Sequence, residues 1–129
     1  MVNVNISSPV NPSESEELVL DAIMRIFPDA SLSRTPQGFE GTAPGIENFS
    51  LLIRRQRVLD AARSVIYGNL SEDLAVFCLN KQAASVGKVS FCPKENVLGT
   101  IEVRLEGEEL SEYIDGMLPR TVDGLEVIL

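Results

Sequence analysis

The stretch Ile101-Glu102-Val103-Arg104-Leu105-Glu106-Gly107-Glu108-Glu109-Leu110-Ser111-Glu112-Tyr113-Ile114-Asp115-Gly116-Met117-Leu118-Pro119 changes its period midway. Ile101, Val103 and Leu105 alternate with charged residues, the repeat of a strand that buries one face. From Glu108-Glu109 onward Leu110, Tyr113, Ile114 and Met117 share one helical face, and Pro119 stops the pattern. Acids at the opening of that helix suit its dipole, which outweighs an acid/base reading of the Glu108-Glu109 pair.

Upstream, the apolar run Leu74–Leu79 has the length of a buried strand, residues 80–86 read as a turn or short helical loop, and Gly87–Phe91 reads as another strand. The longest periodic stretch, Glu47 to Tyr67, predicts one long helix closed by Gly68-Asn69. Before it, Pro36 and Gly38 separate Ser31–Arg34 from Gly38–Thr42, the pattern of a two-stranded ribbon. Ser13 and Glu16 form a Ser-x-x-Glu capping box for a first helix, Ser13 to Phe27, which Pro28 ends. Val2, Val4 and Ile6 alternate as an N-terminal strand, and Asp123-Gly124 turns into a final strand, Leu125 to Leu129. Strands and helices without regular βαβ alternation predict an α+β two-layer sandwich over residues 1–129, its mixed or antiparallel sheet covered on one face by helices.

The 129-residue chain is 44% hydrophobic and 23% charged, enough to build a core in one domain. No apolar run reaches the ~20 residues that cross a bilayer, and the start lacks a signal peptide's basic and apolar regions, so a cytoplasmic protein without a membrane partner is expected. With no histidine and only Cys78 and Cys92, no metal or other cofactor is expected, and the cysteines read as small buried hydrophobes rather than a redox pair. Nucleophile elbow, Walker loop and Cys-x-x-Cys are absent, which argues against an enzyme.

Charge is unevenly distributed within the net −8. Residues 1–33 carry one basic against five acidic side chains, residues 34–94 eight against five, and residues 95–129 two against nine. The net charge opposes DNA, while the basic middle keeps RNA as an alternative partner through Arg54, Arg57, Arg63, Lys81 and Lys88. An aromatic content of 5% leaves few stacking platforms for bases. Arg57 and Arg63 each stand three positions from Asp60, the spacing of intrahelical ion pairs. On a single wheel through residues 51–66, Arg55 falls amid Leu51, Leu52, Val58, Leu59, Ala62, Val65 and Ile66. It is therefore expected to be at least half-buried against an acid, as a structural or interface charge.

Four segments together resemble an archaeal group of uncharacterised proteins, uncharacterised protein family two-zero-one. They are Ile26-Phe27-Pro28; the run Arg54-Arg55-Gln56-Arg57-Val58-Leu59-Asp60-Ala61-Ala62-Arg63; Leu79-Asn80-Lys81-Gln82-Ala83-Ala84 with Gly87-Lys88-Val89; and Pro119-Arg120-Thr121 with Asp123-Gly124. The resemblance implies a helix-covered sheet similar to the ribosomal protein that binds the small RNA of the large subunit, and a tendency to dimerise. A non-enzymatic, homodimeric binding protein is thus the expected function. Sheet edges and an apolar surplus on the strands point the same way.

Overall fold

The computed structural model describes residues 2–92, 100–119, 121–122 and 125–126. Strand β1 (Asn3–Pro9) buries Val4 and Ile6 and exposes Asn3 and Asn5, as the alternation requires. It lies between β3 (Gly38–Ala43) and β7 (Thr100–Glu106), antiparallel to both, with Val4 opposite Ala43 and Leu105. Outside β3 runs β2 (Ser31–Arg34); outside β7 runs β5 (Leu74–Asn80). The far side of β5 is shared by β4 (Leu70–Ser71) and β6 (Phe91–Cys92). Every pairing in this seven-stranded sheet is antiparallel, and helices cover one face, giving the expected two-layer α+β sandwich.

The buried layer has an aromatic centre. Phe49 stacks on Phe27 at 6.0 Å and meets Phe77 at 5.5 Å and Phe91 at 6.3 Å, joining two helices to two strands. Fully burying a side chain of this size is worth roughly 1.5–3 kcal/mol, so this ring holds the helical layer to the sheet.

Helix α1 (Glu16–Ile26) starts later than the capping box predicts. Ser15, not Ser13, is the N-cap and accepts from the Leu18 amide. Glu14 is already committed to a preceding turn, where its side chain accepts from the Asn11 amide at 2.9 Å and its own amide donates to the Asn11 carbonyl. The expected long second helix is two helices, α2 (Glu47–Gln56) and α3 (Leu59–Gly68). Between them Arg57 adopts the left-handed conformation, φ 59°, and the Val58 amide closes back on the Ile53 carbonyl at 3.2 Å. That is a Schellman closure, usually built on glycine, with half-buried Val58 as its apolar contact.

The break resets the helical phase, which is why a single wheel misplaces Arg55. In α2 the buried residues are Phe49, Ser50 and Ile53; in α3 they are Leu59, Ala62 and Ile66. Arg55, about 200° beyond Ile53, is exposed, not half-buried, and so is Leu51. The 80–86 segment contains α4 (Lys81–Ser85), capped by the Asn80 side chain, and the strand expected over Gly87–Phe91 is reduced to Phe91–Cys92. Helix α5 (Leu110–Met117) begins after Glu108-Glu109 rather than on them, because Glu109 is left-handed at φ 57°. The strands β8 (Thr121–Val122) and β9 (Leu125–Glu126) form a separate two-stranded antiparallel pair among the described residues. The Asp123-Gly124 turn and the remainder of the expected final strand, residues 127–129, lie outside the described residues.

The uncovered face of the sheet is more polar than the strand count suggested. Register sets Glu40, Ser7, Glu102 and Cys78 in one row and Thr42, Asn5, Arg104 and Val76 in the next. Strict alternation in β1 and β7 sends Val4, Ile6, Ile101, Val103 and Leu105 to the core, so this face carries its apolar side chains mainly at Leu74, Val76 and Cys78 of β5, with Cys92 opposite Cys78.

Candidate functional site

The α2–α3 corner concentrates exposed positive charge for local reasons. Arg54 and Arg55 occupy the last turn of α2, where cations complement the helix dipole, and Arg57 is turned outward by its left-handed backbone. Gln56, between them, points the other way. Its amide nitrogen donates to the Val89 carbonyl at 2.9 Å, and its carbonyl accepts from the Val89 amide at 2.7 Å. This two-bond clamp brings exposed Lys88, the neighbour of Val89, to the same corner. Arg54 reaches the Met117 carbonyl at 3.4 Å, whereas Arg55, Arg57 and Lys88 form no ion pair with any described residue. The arrangement suits a carboxylate-rich or phosphate-rich surface, since guanidinium forks bind both.

Two of the five basic residues singled out in the sequence are elsewhere and occupied. Lys81 is buried, and its ammonium donates to the Pro9 carbonyl and to Glu14 Oε1 at 2.9 Å, tying α4 to the end of β1 and the turn before α1. Burial alone would push the Glu14 carboxyl up, but the Asn11 amide and the Lys81 ammonium outweigh it and hold the group below the ordinary glutamate value. Arg63 faces α5 instead of pairing with Asp60. It donates to Asp115 Oδ1 at 2.9 Å and to the Leu118 carbonyl, and its guanidinium lies 5.0 Å from the Tyr67 ring centroid. Its side chain is 15% exposed. The Tyr67 hydroxyl donates to the same Asp115 oxygen at 2.6 Å; burial and then that carboxylate raise the phenol above its usual value. The Arg57–Asp60 spacing fails too, because Arg57 is outside the helix that carries Asp60.

A second surface is the uncovered sheet face, which the sequence marked only for an apolar surplus and not for its polar residues. Ser7 stands between Glu40 and Glu102 in register and donates to Glu102 Oε2 at 3.3 Å, and shallow hollows open on either side of it. The polar positions of the β1 and β7 alternation carried that signal, but register alone brings them together. Among the described residues no group of three or more histidine, cysteine, aspartate or glutamate side chains is placed to hold a metal ion, and no helix is long and apolar enough to cross a membrane. Acidic residues Glu108, Glu109 and Glu112 are exposed around the start of α5.

No family model matches the chain. It is 37% identical to a UPF0201 protein of Sulfurisphaera tokodaii over 97% of this chain and 92% of that protein. It is 38% identical to a UPF0200/UPF0201 protein of Archaeoglobus fulgidus, of which it spans 40% of the length. The crystal structure of a UPF0201 protein from Methanococcus jannaschii superposes with a TM-score of 0.87 at 35% identity, covering 98% of this chain and 99% of that one. An Archaeoglobus fulgidus DUF54 protein, at 20% identity and a TM-score of 0.69, shares the fold. With this identity across nearly the whole of both partners, the chain belongs to the archaeal UPF0201 family.

Proposed function

We propose that the protein is a non-enzymatic binding protein of the cytoplasm that works as a homodimer, the basic corner of one copy meeting the acidic α5 region of the other. One observation carries this reading: Arg55, Arg57 and Lys88 are exposed around the Gln56 clamp and have no acid partner among the described residues, in a chain of net charge −8. The complementary acids are Glu108, Glu109 and Glu112, and a two-fold contact would pair each patch twice. Sedimentation equilibrium at micromolar concentration tests it. The wild type should be a dimer that weakens with added salt, and Arg55→Glu with Arg57→Glu should be monomeric. A monomeric wild type, or a dimer indifferent to both salt and charge reversal, overturns the proposal.

Weak RNA binding is the second reading, supported by the same corner and by the ribosomal-protein likeness that the family resemblance implies. It now rests on Arg54, Arg57 and Lys88, with Arg55 added, since Lys81 and Arg63 are engaged inside the fold. The overall charge opposes it. Titration of mixed-sequence RNA at low salt decides: binding that is lost on Arg57→Glu supports this reading, and no detectable binding removes it.

A further inference from the structure

Cys78 on β5 and Cys92 on β6 are register partners, directly opposite each other across an antiparallel pair, and no disulfide joins them. Cys78 is buried at 5% exposure, whereas Cys92 is half-buried. The Asn80 amide donates to the Ser90 carbonyl at 2.8 Å, which marks residues 80 and 90 as a hydrogen-bonded pair. Ladder pairs alternate, so Cys78 and Cys92, two residues along, occupy a hydrogen-bonded position as well.

Such a position sets the two Cα atoms about 5.5 Å apart, inside the span of a disulfide. Its Cβ atoms are about 5 Å apart, compared with about 3.8 Å in an unstrained bridge, so closing the bond must draw the strands together. Strand β6 can give way because it lies at the outer side of β5. The intervening chain is already closed on itself. Lys81 is held by Glu14, and Val89 is clamped by Gln56, so bringing the two sulfurs together costs little further chain entropy.

We propose that Cys78 and Cys92 form a strained and therefore reversible intramolecular disulfide, making the β5–β6 edge a thiol–disulfide exchange site. Burial holds the Cys92 thiol above its usual value, so it is the minor thiolate fraction of this more accessible cysteine that attacks one sulfur of a low-molecular-weight disulfide, whose S–S bond breaks to release one thiolate and leave a mixed disulfide on Cys92. The Cys78 thiolate then attacks the Cys92 sulfur, forms the internal bond and expels the second thiolate. Two electrons pass to the external disulfide, and the two protons lost by the cysteines end on the two released thiols. Strain in the internal bond favours the return reaction. The oxidised form fastens β6 to β5, and the segment bearing Lys88 with it.

The full chain equilibrated in buffers of varied oxidised-to-reduced glutathione ratio, quenched with an alkylating agent and read by mass spectrometry, provides the test. The expected product is a monomeric species lacking two hydrogens, with a Cys78–Cys92 cross-linked peptide, which reverts to two alkylated thiols as reduced glutathione increases. In Cys78→Ala the reaction should stop at a glutathione adduct on Cys92. Three outcomes overturn the proposal: both thiols alkylated at every ratio, only adducts or intermolecular links in the wild type, or an internal bond that persists at the most reducing ratio.

Discussion

Replacing Glu14 with glutamine keeps the shape and the acceptor for the Asn11 amide but removes the charge that faces Lys81. The two side chains are 28% and 8% exposed, so the ammonium is the more deeply buried member of the pair. Stranding one partner of a fully buried pair costs about 3–5 kcal/mol; with one member partly solvated, about 2–3 kcal/mol is expected for Glu14→Gln. Lys81→Met should cost less, about 1–2 kcal/mol, because the aliphatic stem is retained and the remaining carboxylate can recruit water. Removing the acid is thus expected to hurt more than removing the base. Urea unfolding followed by far-ultraviolet circular dichroism at neutral pH gives both values from the midpoints. The native Glu14 carboxyl sits below its ordinary value, so its contribution is present above that value and is lost as pH falls through the folded one. The gap between wild type and Glu14→Gln should accordingly close in acid. Either a Glu14→Gln variant within about 0.5 kcal/mol of wild type, the scale of an ordinary surface change, or Lys81→Met as the more damaging substitution would refute the reasoning.

Arg57→Gly should stabilise by up to about 1 kcal/mol in urea, since glycine adopts φ 59° freely, and a loss larger than that would show that the arginine stem packs. Gln56→Ala removes both bonds to Val89 and should cost about 1–2 kcal/mol while accelerating hydrogen exchange at the Val89 amide; unchanged exchange would contradict the clamp. In Gly41→Ala the added carbon would lie 1.9 Å from the Ser31 carbonyl oxygen of the paired strand, so the variant should lose more than about 3 kcal/mol, with increased exchange confined first to β2. A cold spot there, with stability retained, would mean that the ribbon shifts to make room.

Where one periodicity ran undisturbed, the elements were readable. Val4 and Ile6, Ile101, Val103 and Leu105, and Leu110 and Ile114 on their shared face are all buried as their spacing requires. What escaped was the break at Arg57, because nothing in Arg57-Val58 has the composition of a helix terminus, and the left-handed residue is stabilised by the packing of Val58 instead of by its own preference. That one error propagated to Arg55. The fate of the lysines and arginines was hidden for a different reason. Lys81 and Arg63 meet partners 67 and 52 residues away, and only the tertiary fold makes those distances short. Likewise, the opposition of Cys78 and Cys92 is a property of register, which neither cysteine's neighbours announce.

The order of the strands has a kinetic consequence. β1 spans residues 3–9, yet its central partner β7 spans residues 100–106, and β7 is also the strand that joins β1 to β5. Until β7 is in place the sheet exists as two separate ribbons, β2-β3-β1 and β5 with its short neighbours, each ending in an unpaired backbone edge. Closing a chain loop of this length delays the joining step, and topologies rich in distant contacts fold slowly. During synthesis, the N-terminal strand must wait with its edge open while almost a hundred residues emerge behind it. A nascent chain halted just before Thr100 would therefore present two sticky ribbons and no strand to fuse them, the moment at which pairing with a neighbouring chain competes best with folding.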